Sequence, residues 1–572
     1  MMTTGADALM RGLIAEGVDR VFGYPGGAIM PVYDALYDYS DRITHVLTRH
    51  EQGAVHAAQG YARVSGRTGV VIATSGPGAT NVVTGLADAM MDSTPLVVIT
   101  GQVGVSLLGA DAFQETDVVC VMQPVSKWAC QVRSADDLPR ALATAFHIAS
   151  TGRPGPVVLD IARDAQTGLT DVKYHPVNYI RSYDPDPVPD PTDLAAAATL
   201  INAASRPMIL AGQGVTLSGA ETALAALAEK ADIPVGCTLL GLAAIPTCHP
   251  LNKGMLGMHG NLGPNYNTNR ADVLIAVGMR FDDRVTGALD SYAPDAKVIH
   301  IDIDASEFDK NVRATARIHS DARKALEALL PLVDRASRRE WLDSFVPHEE
   351  TERRRVSDPV LESENRENAM TMGEVARKVS EATGDRAVLV TDVGQNQMMA
   401  SRYFRFTLPR SIITSGGLGT MGFGLPAAIG AKMGAPDRTV CYFGGDGGFQ
   451  MTMQELGTIM QYGTAVKMVV LNNSFLGNVR QWQQLFFKGR FSQTPMSNPD
   501  FTAICAAYGI RAENVASRDT LDEAIARMIA HDGPYLLNVN INETDMVFPM
   551  VPAGGAVDEI LLTATEKYRP EK

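Results

Sequence analysis

The sequence predicts an α/β protein with three doubly wound domains, each a parallel sheet covered by helices on both faces. Apolar segments rich in Val, Ile and Leu alternate with helix-like segments along most of the chain. A length of 572 residues is too great for a single hydrophobic core. A proline-rich segment at 184–191 is extended and semi-rigid, so it marks a join between domains.

The first domain is expected at residues 1–183. Apolar residues from Ala6 to Ile14 recur at helical spacing, and Gly17 ends that helix. The turn around Gly27 opens the next helix. The same patterns predict a helix at 51–65 and strands at 18–22, 69–74 and 96–100.

The second domain is expected at 192–335 and the third at 369–545. The strands predicted for them lie at 208–210, 273–277, 298–303 and 387–390. The charge-rich segment 335–368 is interpreted as a surface helix plus a connection. The tail 546–572 contains several Pro and Gly residues and is expected to form a loop or cap.

Composition excludes several classes of protein. The net charge of −14 argues against nucleic acid or an anionic membrane as a partner, and it requires local cations for any anionic substrate. The 6 cysteines include no Cys-x-x-Cys pair, which is typical of reduced thiols in the cytosol. Residues 1–11 show no secretory signal, and no apolar run could span a bilayer. A soluble, cytoplasmic protein is expected.

The most informative motif is the triplet Gly445-Asp446-Gly447 together with Asn473. Each half directly follows a strand-like apolar run, and a helix is predicted between them at 451–462. Both motifs are therefore expected at the carboxyl ends of parallel strands, where open α/β sheets bind ligands. The glycines let backbone N–H groups approach an anion, and the Asp446 carboxylate with the Asn473 amide oxygen can hold a hard cation.

Charge balance favours a metal–diphosphate ligand at this site. A diphosphate ester carries about three negative charges and Mg²⁺ neutralises about two, so a second carboxylate would add repulsion. One carboxylate with neutral oxygens therefore suits the site better than a carboxylate pair. Either motif alone would more simply be a turn or a strand-end loop, whereas the ordered pair favours the ligand site.

At these residues the sequence resembles the thiamin diphosphate enzymes, whose cofactor motif begins with Gly-Asp-Gly and ends with Asn-Asn. The resemblance extends over nearly the whole chain and narrows to the catalytic subunits of acetohydroxyacid synthase, also called acetolactate synthase. The matching segments follow the order found in that family: 23–28, 49–53, 74–81, 112–115, 152–156, 280–287 and 481–483. The resemblance implies a pyrimidine-binding first domain, a central FAD-associated domain and a diphosphate-binding third domain.

The resemblance also implies the catalytic residues. Glu51 would hydrogen-bond the aminopyrimidine ring of the cofactor and so promote loss of the thiazolium C2 proton, a kind of assistance typically worth about 10²–10⁴ in rate. An arbitrary glutamate in the first turn of a helix would instead only interact with the helix dipole, at ~0.3–1 kcal/mol. Gly27 would donate its backbone N–H to a developing oxyanion, unless it is an ordinary turn glycine. Gln114 would be a polar contact near the reacting intermediate.

Further residues are implied to hold thiamin diphosphate and Mg²⁺. Asp446, Asn473 and the Phe475 carbonyl would bind the metal. Met421 would wedge the cofactor into a bent shape, although methionine is more often packing filler. The other contacts implied with the diphosphate are Gly394, Gln395, Gly445, Gly447 and Gly448.

The central domain carries only a weak nucleotide signal of its own. Gly212-Gln213-Gly214 follows a strand, but the full Gly-x-Gly-x-x-Gly pattern is missing. In the resembled family FAD is bound without net redox use, and segment 280–287 matters most because flavin-free catabolic acetolactate synthases generally lack it. The implied flavin contacts are Arg153, Gly212, Gly214, Met258, His259, Gly278, Arg280, Asp302 and Asp321.

Arg284 is expected to bind the carboxylate of a keto acid, because a planar guanidinium pairs with it bidentately. The alternative for Arg284 is a local ion pair with Asp282 or Asp283. Trp482 and Phe113 would form flat apolar walls, and the family's tryptophan favours 2-oxobutanoate over pyruvate as second substrate. The positions that depart from the family pattern are Arg163, Asn396 and Asn478.

The implied activity is that of an acetolactate synthase. Pyruvate is decarboxylated on thiamin diphosphate, and the hydroxyethyl unit passes to a second pyruvate or to 2-oxobutanoate, the first common step of branched-chain amino-acid biosynthesis. The implied partners are a second copy of the chain, which would bring its Glu51 to the metal site of the first, and a regulatory small subunit. The dimer could belong to a larger homo-oligomer.

Three other functions compete with this one. Glyoxylate carboligase normally lacks the glutamate at the position of Glu51, and a flavin-linked pyruvate oxidase would need electron transfer from the flavin. A non-catalytic homologue would have no reason to keep Glu51, Asp446 and Asn473 together.

Overall fold

Residues 2–361 and 369–570 are described by the computed structural model, and within them the chain forms three six-stranded parallel sheets. Each sheet is covered on both faces, because alternate residues of its central strands pack into different hydrophobic cores. In the third sheet, for example, Leu389 packs into one core while Val388 and Val390 pack into another. The predicted fold class is confirmed.

The first sheet lies in the amino-terminal domain. The strands of this domain are β1 (Thr3–Thr4), β2 (Arg20–Gly23), β3 (Thr44–Leu47), β4 (Gly69–Ala73), β5 (Leu96–Gln102), β6 (Trp128–Val132), β7 (Pro156–Ala162) and β8 (Leu169–Thr170). The spatial order is β3-β2-β4-β5-β7-β6, and β1 pairs antiparallel with β8. The helices are Gly5–Ala15, Met30–Asp38, Glu51–Ser65, Pro77–Thr80, Val83–Met91, Val118–Met122, Leu138–Ser150 and Arg163–Thr167.

The second sheet has the strand order of dinucleotide-binding folds. Its strands are β9 (Pro207–Ala211), β10 (Val235–Cys237), β11 (Asn252–Met255), β12 (Val273–Val277), β13 (Lys297–Asp302) and β14 (Ala316–His319). The spatial order β11-β10-β9-β12-β13-β14 reverses direction between β9 and β12, and such reversal points are where these folds bind ligands. The helices of this domain are Pro191–Ala203, Gln213–Ser218, Glu221–Ala231, Leu262–Thr268, Asp283–Thr286 and Ala322–Leu329.

The third sheet repeats the strand order of the first. Its strands are β15 (Val388–Thr391), β16 (Ile412–Ile413), β17 (Val440–Gly445), β18 (Val466–Asn472), β19 (Arg511–Val515) and β20 (Tyr535–Asn540). The spatial order is β16-β15-β17-β18-β20-β19. The helices are Met372–Ala382, Gln395–Tyr403, Gly424–Gly434, Asp446–Thr452, Leu456–Tyr462, Gly477–Phe486, Phe501–Ala507 and Leu521–Ala530.

Two expected elements differ from the structure. The helix expected at 451–462 begins at Asp446, where an acidic residue suits the helix N-terminus, and a 3₁₀ turn at Met453–Glu455 interrupts it. The segment expected as a surface helix forms the helices Arg339–Asp343, Val346–Glu352 and Asp358–Leu361 with a π-helix at Arg353–Ser357. Its Trp341 and Phe345 are buried in the central-domain core, so it is not purely a surface element. Residues 362–368 of that expectation lie outside the described residues.

The largest contact between the first and third domains is made by one pair of helices, Glu51–Ser65 and Gly424–Gly434. Gly60 and Gly430 lie at the crossing. A Cβ on Gly60 would come within 1.9 Å of the Ala427 carbonyl oxygen, and one on Gly430 within 1.7 Å of the Ala57 carbonyl oxygen. The two glycines therefore allow the backbones to touch. This contact holds the first turn of Glu51–Ser65 in place relative to the third domain.

The carboxyl-terminal segment 541–570 contains no helix or named strand and packs over the central domain. The Val551 N–H donates to the Met258 carbonyl at 2.7 Å, and Val557 is buried in the central-domain core. Among the described residues, no helix has the length and apolar character required to cross a membrane.

Candidate active site

The carboxyl ends of β17 and β18 bring the two halves of the predicted metal motif together. Gly445 pairs with Leu471 across these strands, so Asp446 and Asn473 leave the same edge of the third sheet. Asp446 is 1% exposed and accepts a hydrogen bond from Asn498 Nδ2 at 2.6 Å. Burial raises the pKa of Asp446, although the bond from Asn498 opposes this shift. The site thus holds a desolvated carboxylate with one amide partner.

Asn473 and Phe475 lie in one turn beside Asp446. The Phe475 N–H donates to Asn473 Oδ1 at 3.1 Å, and Asn473 Nδ2 lies 3.5 Å from Gln395 Oε1. The described residues contain no group of three or more His, Cys, Asp or Glu side chains placed to hold a metal. The Asp446 carboxylate with the neutral oxygens of Asn473 and Phe475 is a donor set that suits Mg²⁺ bound to phosphate.

The glycines around Asp446 keep this edge open to a ligand. A Cβ on Gly448 would come within 2.5 Å of Asp392 Oδ1, and one on Gly447 within 2.8 Å of Leu476 Cδ2. Gly445 adjoins the Asn396 amide, and Gly394 has a φ of +137°, a conformation that side chains rarely adopt. Backbone N–H groups can therefore approach an anion closely at all four glycines.

Asp392 organises the loop beneath this edge. Burial raises its pKa to about 6, opposed by backbone N–H groups of Gly422, Val393 and Gly424. Met421, which precedes one of these donors, approaches Gly447: its Cε lies 3.8 Å from where a Gly447 Cβ would be. The predicted cofactor-supporting residue therefore lies beside the predicted diphosphate site.

Gln395 opens the helix Gln395–Tyr403 and belongs to a buried amide cluster. Its Nε2 donates to Gln481 Oε1 at 2.9 Å and to the Asp545 carbonyl at 3.0 Å. The Val547 N–H donates to the same Gln481 oxygen at 2.8 Å. Gln481 precedes Trp482, so the diphosphate edge is linked to the helix that carries the predicted substrate wall.

A cavity of about 810 Å³ opens at the reversal point of the central sheet. Its lining includes most of the predicted flavin contacts, namely Arg153, Gly214, Met258, His259, Gly278, Arg280, Asp302 and Asp321. Gly394, Arg284 and Trp482 line it as well, so the cavity extends to the third domain. Gly212, the remaining predicted flavin contact, packs against Gly278 and does not itself line the cavity. A Cβ on Gly212 would lie 2.1 Å from the Gly278 carbonyl oxygen.

The charged groups in the cavity are partly neutralised. Arg153 pairs with Asp304 at 3.1 Å and with Glu307 at 2.6 Å, and Arg280 lies 3.7 Å from Asp282. Burial raises the pKa of Asp302 to about 7 and lowers that of His259 to about 3. The Nδ1 atom of His259 is buried and has no hydrogen-bond partner. A polar ligand would satisfy it.

The predicted catalytic residues of the first domain form a separate group. Glu51 begins the helix Glu51–Ser65, and its Oε2 accepts a hydrogen bond from Asn81 Nδ2 at 3.0 Å. A Cβ on Gly78 would lie 3.3 Å from Glu51 Oε1, whereas the space beside Gly27 is open. Gln114 has a φ of +59° and packs its backbone against Gly76. All these residues lie beyond the carboxyl ends of strands of the first sheet.

The described residues that line the large cavity include neither Glu51 nor Gly27, Phe113 or Gln114. Phe113 is 87% exposed. The chain therefore separates the predicted site into two groups, one at the carboxyl edge of the first sheet and one around the large cavity, which residues of all three domains line.

The predicted substrate residues differ in their surroundings. Arg284 Nη1 lies 3.4 Å from Asp283 Oδ2, and both side chains are more than half exposed, so the local ion pair exists but leaves the guanidinium accessible. Trp482 lines the large cavity and a neighbouring one of about 690 Å³, and its ring packs edge-on against Phe486. Asn478 lines both cavities, and its buried Oδ1 has no partner.

The remaining two departures from the family pattern have different environments. Asn396 is buried, and its Nδ2 donates to the Phe443 carbonyl at 3.1 Å. Arg163 is exposed at the start of the helix Arg163–Thr167.

Sequence reasoning missed Asn498. Besides Asp446, its Nδ2 donates to Asn472 Oδ1 at 2.9 Å, so it joins the two halves of the metal motif. It lies far from both halves in sequence, and no spacing pattern points to it.

Three family profiles match the chain in order. They are the thiamine pyrophosphate enzyme N-terminal TPP binding domain at residues 3–121, the central domain at 194–329 and the C-terminal TPP binding domain at 392–539. The chain is 44% identical over 569 residues to the probable acetolactate synthase large subunit of Methanocaldococcus jannaschii, covering 97% of this chain and 95% of that protein. It is 44% identical to the acetolactate synthase isozyme 2 large subunit of Escherichia coli K12 (97% and 99% covered) and 43% identical to the acetolactate synthase large subunit of Lactococcus lactis (98% and 96%).

Proposed function

This chain belongs to the acetolactate synthase large subunits, a family of thiamine pyrophosphate enzymes, and we propose that it condenses two 2-oxo acids at a site shared between two copies of the chain. The first substrate is pyruvate, which loses its carboxylate as CO₂. Its remaining two-carbon unit forms a carbon–carbon bond to the keto carbon of the second substrate, which is pyruvate or 2-oxobutanoate. Bound thiamin diphosphate supplies the carbanion that this chemistry needs. The observation that carries the proposal is the meeting of Asp446 and Asn473 at adjacent strand ends.

In this proposal the third domain anchors the cofactor through Mg²⁺. Asp446 supplies the single charged ligand, and Asn473 with the Phe475 carbonyl supplies neutral oxygens. The Gly447 and Gly448 backbone accommodates the diphosphate. Both positions require glycine, because a Cβ would lie 2.8 Å from Leu476 Cδ2 and 2.5 Å from Asp392 Oδ1, respectively. The raised pKa of Asp446 supports the assignment, because a bound cation would stabilise a carboxylate that is now desolvated.

Glu51 orients the cofactor and assists proton transfer. Its Oε2 is already bound by Asn81, so Oε1 is the atom left for a ring nitrogen. Gly78 lies close to that oxygen, and a larger residue there would crowd it. Gly27, with open space beside it, can bring its backbone N–H near a developing oxyanion, and Gln114 lies on the same edge.

A second copy of the chain completes the site. Glu51 does not line the cavity that Gly394 and Trp482 line, and exposed apolar residues flank both groups. Those residues include Tyr24, Phe113, Met451 and Phe487. A symmetric dimer would bury them and bring each first domain to the third domain of its partner.

FAD is proposed for the cavity of the central domain. The strand order, the close approach of Gly214 to Gly278 and the unpartnered Nδ1 of His259 all suit a dinucleotide. Arg284 is proposed to bind the substrate carboxylate, and Trp482 to discriminate between second substrates by a flat apolar wall. One methylene in such a pocket is worth ~1–3 kcal/mol, enough to favour 2-oxobutanoate.

The relatives are named large subunits, which implies a small subunit in those proteins. We extend this to a regulatory small subunit for the present chain. Sedimentation of the chain with a candidate regulatory small subunit from the same organism would test this, and a sedimentation coefficient unchanged by mixing would oppose it.

The decisive experiment supplies the chain with pyruvate, 2-oxobutanoate, thiamin diphosphate, Mg²⁺ and FAD, and resolves the products by mass. Acetolactate and its 2-oxobutanoate-derived homologue are expected, each requiring thiamin diphosphate. Rapid stoichiometric bleaching of the flavin by pyruvate without oxygen would favour a pyruvate oxidase instead. Absence of thiamin diphosphate binding in calorimetry would contradict the proposal altogether.

A further inference from the structure

Two buried carboxylates, Asp88 and Asp92, face the loop that precedes Met421. They lie one helical turn apart, Asp88 within the helix Val83–Met91 and Asp92 at its C-cap, and both are 0% exposed. The loop, residues 415–420, belongs to the third domain and lines the large cavity with Ser415, Gly417 and Gly419, among others. The carboxylates therefore reach from the first domain to a segment beside both proposed cofactors.

Asp92 binds the backbone of this loop with both oxygens. The Gly416 N–H donates to Oδ2 at 2.9 Å and the Gly417 N–H donates to Oδ1 at 2.7 Å. Glycine is needed at both positions: a Cβ on Gly416 would lie 2.6 Å from Leu240 Cγ, and one on Gly417 2.9 Å from Asp92 Oδ1. Two charge-assisted bonds to consecutive peptide groups fix the orientation of that part of the loop.

Arg63 holds Asp92 in place. Its Nη2 lies 2.8 Å from Asp92 Oδ2, its Nε donates to Thr94 at 3.0 Å and its Nη1 donates to the Thr414 carbonyl at 2.5 Å. The guanidinium is thus bound on every side. Burial raises the pKa of Asp92, and the Arg63 charge opposes that shift. The same arginine contacts both the carboxylate and the residue that leads into the loop.

Asp88 binds the two ends of the loop through hydroxyl groups. Its Oδ1 accepts hydrogen bonds from Ser415 Oγ and, at 2.9 Å, from Thr420 Oγ1. Arg280 Nη2 reaches the same part of the loop, since it lies 3.2 Å from where a Gly417 Cβ would be, a position that is also 2.9 Å from Asp92 Oδ1. The carboxylates and a proposed flavin contact therefore meet at Gly417, and the loop ends beside Met421, the proposed support of the thiamin ring.

We propose that Asp92, oriented by Arg63, is a positioning residue that sets the shape of loop 415–420 and thereby couples the binding of thiamin diphosphate and FAD. It does not touch the reacting atoms itself. This inference rests on the proposed function, because it takes the cavity and the Met421 region as the two cofactor sites.

The test is titration of the full-length chain with FAD and, separately, with thiamin diphosphate plus Mg²⁺. Asp92→Asn keeps the side-chain shape but loses the charge and one acceptor. We expect its dissociation constants for both cofactors to rise in parallel, by about tenfold or more each, as for other residues that orient ligand-binding groups. Unchanged affinities, or a change for one cofactor alone, would overturn the inference.

Two further variants separate positioning from general stability. Glu374→Gln makes the same carboxylate-to-amide change in a buried ion pair with Arg518, remote from the cavity lining, and should destabilise the fold while leaving both affinities unchanged. Asp92→Asn leaves the buried guanidinium of Arg63 without its carboxylate partner, and combining it with Arg63→Gln removes that guanidinium. We expect this double variant to recover thermal stability but not cofactor affinity. Recovery of both thermal stability and cofactor affinity would show that Arg63 and Asp92 have only a structural role, and it would refute the proposal.

Failure of the proposed function gives a different result. In that case the unmodified chain itself binds neither cofactor, whereas failure of the present inference leaves the unmodified chain binding both and Asp92→Asn binding equally well.

Discussion

The first and third sheets share one strand order, yet the loops at their carboxyl edges differ in chemistry. At the first edge, Glu51 is held by the neutral amide of Asn81 and leaves one oxygen accessible beside Gly78. At the third edge, Asp446 lies buried among glycines, where a cation and a phosphate can approach. Under the proposed function, one scaffold presents a proton-transfer group at one edge and an anion-binding site at the other, and the difference lies in the loops it carries.

The largest effect on activity is expected from replacing Glu51, the carboxylic acid at the carboxyl edge of the first sheet. Glu51→Gln keeps the hydrogen-bonding shape but removes the charge, so kcat should fall by about 10²–10⁴. Folding and cofactor affinity should change little, because Glu51 is not a core residue. Steady-state kinetics and thermal unfolding of the same preparation would measure both.

Glu221→Gln is the matched control for this variant. Glu221 also begins a helix, so its replacement removes the same helix-dipole interaction without approaching the active site. Near-normal turnover of Glu51→Gln, or an equal loss in Glu221→Gln, would remove Glu51 from the mechanism.

At the carboxyl edge of the third sheet, the negative charge of Asp446 is expected to affect metal binding and not proton transfer. Asp446→Asn should raise the Mg²⁺ concentration required for half-maximal thiamin diphosphate binding by about 10–100-fold or more. The metal-free protein should be no less stable, since the variant removes a desolvated carboxylate. Calorimetric titration at fixed cofactor concentration would measure the shift.

Asp500→Asn provides the same substitution nearby. Asp500 caps the helix Phe501–Ala507, and asparagine caps helices equally well, so the magnesium requirement should not move. If Asp446→Asn keeps the original requirement, Asp446 is not a metal ligand.

Mixing the two variants, at a Mg²⁺ concentration too low for Asp446→Asn alone to be active, tests whether the edges meet between copies. In a mixed dimer of Glu51→Gln and Asp446→Asn, one site carries both changes and the other carries neither. Random exchange of subunits should therefore restore about a quarter of the original activity. Two different affinity tags on the variants would confirm exchange. If exchange is confirmed and activity stays absent, both residues act within one chain.

The sequence predicted several helices and strands well because their signals are local. Helix Glu51–Ser65 and strand Val273–Val277 have the bounds expected from apolar periodicity. The Gly-Asp-Gly motif and Asn473 could be paired because adjacent parallel strands end at one edge. In contrast, the helix expected at 451–462 is interrupted near Glu455, a buried residue that accepts the Arg49 N–H of the first domain at 2.9 Å. Such a tertiary contact leaves no local pattern.

The central sheet shows a second limit of sequence reasoning. Its strand order is that of dinucleotide-binding folds, although the usual glycine fingerprint is incomplete. Three glycines lie at the reversal point of this sheet. Gly212 and Gly214 follow β9 and Gly278 follows β12, so they come into contact only in the folded chain. Asn498 and Asp92 were missed for the same reason, since each acts on a segment distant in sequence.

The smallest expected effect concerns Asp160, a buried acid in β7 of the first sheet. Desolvation raises its pKa to about 6, although hydrogen bonds from Gln131, Gln102 and Thr100 oppose the shift. The folded chain therefore keeps this proton up to about pH 6, whereas the unfolded chain releases it near pH 4. Between these values the folded state binds more protons, so this group makes the free energy of unfolding fall as pH rises.

Asp160→Asn should remove this contribution and change the slope of the stability profile between about pH 4 and 6 by at most ~1.4 kcal/mol per pH unit. The slope is the criterion, because the variant also alters the hydrogen bonds of this side chain and so shifts the whole curve. Asp38→Asn, an exposed change in the same domain, is the control. Urea unfolding at several pH values would measure both. Parallel profiles for Asp160→Asn and the unmodified chain would show that Asp160 is already ionised in the folded state. Hydrogen-bond donors of the protein would then be enough to stabilise a buried charge in the first sheet, whereas we expect Asp446 in the third sheet to need a bound cation.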